Sequence, residues 1–241
     1  HTRWASVGII SEPNAHPVNS DEVGNTDAPY VTATLNGDVD NFADLIALEK
    51  LAIAGEITTD AKVIPTMVSR GLADGLDLDE AVRSAVAQFE GSVAIGISTT
   101  SEPGDLHLAL RGSGQGVFVG MAEDAFVIAS EPYGVVEDAS LYLRMDGETP
   151  ADLDNPTGSQ GQIIRIRGSL AGDAAGLSRM SYDGTDLPVD ERGRLRAQPD
   201  LRVIDDNGVV DAAWTAGDVA AVPDLSGGGV GGFCVPNAQH A

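Results

Sequence analysis

Near residue 90 the apolar residues change their spacing, and that change restricts the fold more than any other feature of the chain. Before it, apolar positions recur at intervals of three and four, the period of a helix with one buried face. "NFADLIALEKLAIAG" places Phe42, Leu45, Ile46 and Leu51 on one side, with Asp40 or Asn41 as a cap and Gly55 as a stop. "TDAKVIPTMVSRGLADG" repeats the pattern with Val63, Ile64, Met67 and Val68, starting from Thr59 or Asp60, and tolerates Pro65 only in a first turn. "DLDEAVRSAVAQFEG" caps at Asp79 and buries Val82, Ala85, Val86 and Phe89. After it come short β-rich runs, "SVAIGIS", "LHLALRG", "GVFVGMA", "AFVIAS", "LYLRMDG" and "GQIIRIRG", separated by Gly, Pro, Asp and Ser. Helices followed by antiparallel-looking strands predict an α+β layered domain rather than a doubly wound sheet.

The connections carry their own signals. "DGETPADLDNPTGSQG" is a loop by composition. "RGSGQGVFVG" is rich in glycine, but a strand-like run follows Gly112, Gly114 and Gly116, and a phosphate-holding loop needs a helix N-terminus. A hairpin turn is the expectation there. "DGTDLPVDERGRLRAQPD" is polar, dense in charge and carries two prolines, which predicts a boundary between a domain at 1–189 and a segment at 190–241.

With 42% hydrophobic residues but only 5% aromatic ones, the core must rest on Val, Leu, Ile and Ala. Fourteen basic residues against 37 acidic ones give a net charge of −23, which disfavours nucleic acid and anionic membranes as partners. The one cysteine, Cys234, cannot form an internal disulfide, which fits a reducing cytoplasm. No apolar run approaches the roughly 20 residues of a membrane span. No metal-ligand set is read from the sequence.

The front of the chain offers groups suited to a free amino acid. An arginine fork such as Arg3 grips a carboxylate through two parallel hydrogen bonds, and an aspartate such as Asp60 holds an ammonium. Asn36 and Gly37, in "TLNGD", would supply a side-chain amide and a backbone N–H, the usual donors to an oxyanion. Two plainer readings stand beside this one: Asn-Gly is a turn signal, and Asp60 is a helix cap.

"HTRWAS-G", "SEPNAHP", "LNGDVDNF" and "TTDAKVI" occur in the order and approximate spacing of a known family. They resemble the glutamine amidotransferase domain of glucosamine-6-phosphate synthase, glutamine–fructose-6-phosphate aminotransferase (isomerizing). The likeness continues through "FEGSVAIGI", "LHLALRGSGQGVFVGMAEDAFVIASEP" and "LRMDGE" to about Val189. It implies a layered αββα N-terminal-nucleophile hydrolase fold, truncated at its N-terminus. It also implies release of ammonia from L-glutamine for transfer to fructose 6-phosphate, with no cofactor for the amidotransferase part. Arg3 would bind the α-carboxylate and Asp60 the α-amino group, Trp4 and Ser6 would line the pocket, and Asn36 and Gly37 would form the oxyanion hole. His1 and His16 would pack or orient loops. Val7 and Leu35 stand where the family usually has histidine, the first loss weakening polar contacts to substrate. The family's nucleophile is an N-terminal cysteine about seventy residues upstream of the HTRWA motif, and its sugar-isomerase domains follow. With neither in the sequence, the chain as given is expected to bind but not to hydrolyse glutamine, and to meet fructose 6-phosphate only through those other domains.

The rear segment, from "LPVDERGR" to "VPNAQHA", resembles the type II NADH dehydrogenases, FAD-dependent pyridine-nucleotide oxidoreductases. That resemblance implies a short flavoprotein-like piece, with Asp218 in "WTAGD" contacting FAD and Gln239 near the flavin ring and quinone. FAD is expected only if this piece is functional, because no strand–glycine-turn–helix seats its pyrophosphate. The alternatives to an amidotransferase are therefore a fragment of an NADH:quinone oxidoreductase or a non-catalytic chimeric chain.

Overall fold

The computed structural model describes residues 6–25, 27–135, 138–139, 141–148, 160–187 and 189, together with the backbone of 195–197. Its elements in chain order are β1 (Val18–Asn19), β2 (Val31–Gly37), α1 (Phe42–Glu49), α2 (Val63–Ala73), α3 (Leu78–Val86), β3 (Val93–Thr99), β4 (Asp105–Arg111), β5 (Phe118–Met121), β6 (Phe126–Ala129), β7 (Leu141–Arg144), β8 (Gln162–Arg167), β9 (Leu177–Ser181), β10 (Asp186–Leu187) and β11 (Leu195–Ala197). They form a seven-stranded antiparallel sheet, ordered β1-β2-β3-β4-β8-β9-β10, and a four-stranded antiparallel one, ordered β11-β7-β5-β6.

Alternation along the large sheet builds two cores. Val31, Ala33 and Leu35 of β2, Val93, Ile95 and Ile97 of β3, Ala109 of β4 and Ile163 of β8 face the helices. Leu108, Leu110, Ile164 and Ile166 face the other way, onto Val119, Met121 and Leu143 of the small sheet. Period-two side chains thus make one sheet the shared wall of both cores. The outer face of the small sheet carries Phe118, packed with Val135 and Ala139 beside a 3-10 turn at Pro132–Gly134.

All the helix positions expected to be buried are buried or packed against the core, Phe42 and Ile46 being the partly buried ones. The ends differ from expectation. α1 stops at Glu49, not at Gly55, because Lys50 turns left-handed with φ 53° and its N–H returns to the Ile46 carbonyl. α3 is capped by Asp77, whose carboxylate accepts from the Glu80 N–H at 2.9 Å, so it starts ahead of the expected Asp79 cap. α2 is buried on nearly all sides through Ser69. Its hydroxyls are satisfied there, Ser69 Oγ donating to the Pro29 carbonyl at 2.6 Å and Thr66 Oγ1 to the Lys62 carbonyl at 2.8 Å.

All six β-rich runs contain strands, and β1, β2, β9, β10 and β11 are strands the sequence reading did not mark. The glycine-rich stretch is not a hairpin. It carries the chain from β4 in the large sheet to β5 in the small one. β11 pairs with β7, so the small sheet continues past the boundary expected at Val189. Most of the loop expected at 146–161 and most of the segment at 190–241 lie outside the described residues. No helix among the described residues is long and apolar enough to cross a membrane.

Candidate functional site

Asn36 and Gly37 end a strand and are not the turn their dipeptide suggests. β2 stays in register with β3 up to Gly37, opposite Val93. Gly37 then takes φ +106°, and a Cβ there would sit 2.0 Å from the Ser92 carbonyl oxygen. Glycine is required here by both conformation and close approach. The chain leaves the sheet at once, with the Asp38 N–H donating to the same Ser92 carbonyl at 3.1 Å and the Asp40 N–H to Glu90 at 3.0 Å.

Strand alternation turns Asn36 away from the helices. With Thr34, Ala94, Gly96, Leu108, Gly116, Ile128 and Ser130 it lines a cleft of about 180 Å³ between the two sheets. The Asn36 side chain is exposed, and its Nδ2 donates to Gln115 Oε1 at 2.7 Å. Gln115 was not among the residues the sequence pointed to.

Asp60 heads the short 3-10 turn that runs into α2, but the helix cap is Thr59, whose hydroxyl accepts from the Ala61 N–H. The Asp60 carboxylate is buried and accepts from the Val39 N–H at 2.8 Å, which ties it to the loop leaving β2. Burial pushes this carboxyl above its ordinary value. The Val39 hydrogen bond opposes that rise and the nearby Asp38 charge adds to it. Ser6 reaches the same loop, its hydroxyl donating to Asp38 Oδ1. The structure therefore gathers Ser6, Asp60 and the 36–39 strand end around one loop. Arg3, Trp4 and His1 lie outside the described residues, as do Asp218 and Gln239.

Asn14 holds this arrangement from behind. Fully buried, it accepts from the N–H groups of Thr58 and Thr59 at 2.7 and 2.9 Å and donates to Ser11 Oγ and to the Glu56 carbonyl. One side chain thus fixes the turn that presents Asp60. His16 accepts at Nδ1 from the Leu35 N–H at 3.4 Å, a structural contact. The signal for Asn14 was present in "SEPNAHP", but a polar residue in a loop does not announce that it will be enclosed. Among the described residues no group of three or more His, Cys, Asp or Glu could hold a metal ion.

Two solved structures share this architecture. The glutamine phosphoribosylpyrophosphate amidotransferase from B. subtilis, complexed with ADP and GMP, superposes on 76% of this chain and 34% of its own with a TM-score of 0.54 and 19% identity. A structure of the allosteric regulatory enzyme of purine biosynthesis matches the same shares with a TM-score of 0.55 and 20% identity. The fold is that of the N-terminal-nucleophile amidotransferases.

No family model matches the chain. In sequence it is similar to glutamine–fructose-6-phosphate aminotransferases (isomerizing). It is 29% identical over 158 residues to that of Methanothermobacter thermautotrophicus, covering 64% of this chain and 25% of the relative. Identity is 32% over 152 residues to that of Clostridium tetani, covering 61% and 23%, and 34% over 138 residues to that of Neisseria meningitidis, covering 56% and 21%. The chain thus spans about a quarter of the length of the curated relatives it matches. These relatives lend no support to the flavoprotein reading of 190–241.

Proposed function

We propose that the chain forms the glutamine-binding part of an amidotransferase that releases ammonia from the side-chain amide of L-glutamine. The observation that carries this reading is the end of β2. There, a glycine held against the Ser92 carbonyl follows an asparagine that faces the inter-sheet cleft, and the same loop is hydrogen-bonded to a buried aspartate. In the reaction, a nucleophile attacks the amide carbonyl and negative charge collects on its oxygen. The Asn36 amide and the Gly37 N–H are donors suited to that oxygen, and ammonia then leaves from the collapsing intermediate. Asp60 supplies the negative charge for the α-ammonium, while Arg3 supplies the fork for the α-carboxylate. The similarity to glutamine–fructose-6-phosphate aminotransferases supports fructose 6-phosphate as the ammonia acceptor in the full-length enzyme. The described residues contain no cysteine, and Cys234 lies outside them. The reading gives Cys234 no role, and the 241-residue chain is expected to bind glutamine without hydrolysing it.

Calorimetric titration of the 241-residue chain with L-glutamine tests the reading, with ammonia release assayed on the same sample. Saturable one-site binding with no ammonia is expected. Absence of binding up to about 10 mM, ten times the upper end of ordinary substrate constants, removes the glutamine assignment. Sustained ammonia release shows that this chain supplies a nucleophile of its own.

A further inference from the structure

The Asn36 side chain stands at an exposed strand end, where packing does not choose between the two ways its amide can face. The choice matters. One face of the group is a donor and the other an acceptor, and a flipped asparagine would present Oδ1 to an oxyanion that needs an N–H. Gln115 makes the choice. In the arrangement observed, Gln115 Oε1 accepts from Asn36 Nδ2 at 2.7 Å; an acceptor in that place selects the nitrogen of Asn36 as its partner and leaves the second hydrogen of that nitrogen for a ligand.

Gln115 is itself held in place by its backbone. The linker between β4 and β5 is pinned at its start by Gly112, whose N–H donates to the Gly147 carbonyl at 2.8 Å. At its far end the Val117 carbonyl accepts from the Met145 N–H at 2.9 Å. Gly116 passes so close to the end of β6 that a Cβ would lie 2.7 Å from the carbonyl oxygen of Ser130, the residue after that strand. The linker crosses from one sheet to the other, Gly116 and Val117 line the cleft, and Gln115 just before them meets Asn36.

We infer that Gln115 is a positioning residue of the glutamine site, acting through Asn36 by locking the orientation of its amide. The inference rests on the glutamine reading proposed above, and its test separates the two. In the full 241-residue chain labelled with nitrogen-15, the Asn36 side-chain amide, assigned by its loss in Asn36→Asp, should show one Nδ2 proton protected from exchange. That protection should disappear in Gln115→Ala and persist in Gln115→Glu, which keeps an acceptor oxygen at the same reach. Titration with L-glutamine should show binding weakened about 5- to 10-fold in Gln115→Ala, the range of one lost hydrogen bond. The same substitution placed on Asn36→Ala should change affinity less than about twofold, because its route to the ligand is already gone. A general packing defect would weaken both backgrounds alike. If wild type binds glutamine and Gln115→Ala binds equally well, or weakens Asn36→Ala as much as wild type, the positioning role is wrong and the glutamine site stands. Unprotected Asn36 protons in wild type overturn the pair itself. If wild type binds no glutamine, the site reading fails and this role fails with it.

Discussion

Asp60 is kept at a cost to the fold, and that cost is a measurable property of one residue. Its carboxyl holds a proton more tightly folded than unfolded, because burial penalises the charge and Asp38 adds repulsion. Between the ordinary carboxyl value of about 3.9 and the raised folded value, the folded chain binds more protons than the unfolded one. Stability from this group therefore falls as pH rises through that window. Asp60→Asn keeps an oxygen for the Val39 N–H and removes the buried charge. Its urea midpoint at pH 7 should equal or exceed that of wild type, while L-glutamine affinity falls by about tenfold or more, the scale of a lost charge-assisted hydrogen bond. A destabilised variant that still binds glutamine normally would make Asp60 a structural group. The sequence showed Asp60 as a cap or a ligand, and the structure gives the cap to Thr59. Gln115 was illegible at this scale, and so was the enclosure of Asn14. Nothing in the local sequence says which amide side chain will be enclosed or met from another strand.

The first turn of α3 shows why helix interiors were legible and helix ends were not. Val82, Ala85, Val86 and Phe89 follow from spacing alone, but Asp77 and Asp79 are equally good caps by type. Asp77 takes the Glu80 N–H, which leaves Asp79 for contacts across the fold. His107 Nε2 on β4 lies 2.7 Å from Asp79 Oδ1, and Arg165 Nη1 on β8 donates to Oδ2 at 3.1 Å. Arg165 also pairs with Asp105 and Glu102, so one helix end is tied to two strands. The His107 hydrogen bond, helped by the charges of His107 and Arg165, holds the Asp79 carboxyl below its ordinary value against partial burial. For a lowered carboxyl, the unfolded chain binds more protons in the window between the two values. The stabilisation is complete above about pH 4 and is lost as pH falls through the folded value. Asp79 is 33% exposed, so solvent screening limits its worth to about 1 kcal/mol. Asp79→Asn should lower the urea-derived stability by about that amount at pH 7, with the gap to wild type closing as the pH approaches 3. A gap that stays constant with pH would mean that shape, not charge, carries the contact.

At the scale of the molecule, the strands were legible and their partners were not. "GQIIRIRG" is a strand by composition, yet β8 pairs with β4, more than fifty residues away in the chain, and not with its neighbour β7. The glycine-rich linker looked like a hairpin because strand follows strand; only the whole fold shows that it changes sheets. This topology gives adjacent residues of β8 different duties, Ile163 toward the helices and Ile164 toward the small sheet, both fully buried. A truncation at either should cost about 2–5 kcal/mol, the range for a buried isoleucine cut to alanine. Because β8 belongs to both cores, the loss should not stay on its own side. Ile163→Ala and Ile164→Ala should each lower the hydrogen-exchange protection of α2 amides and of β5 amides together, by matching free energies. Protection lost only around α2 in the first variant and only around β5 in the second would show that the two cores open separately. In that case the cleft lined by Asn36 could widen without unfolding α2, which follows the turn carrying Asp60, and the two ends of the proposed glutamine site would not be rigidly joined.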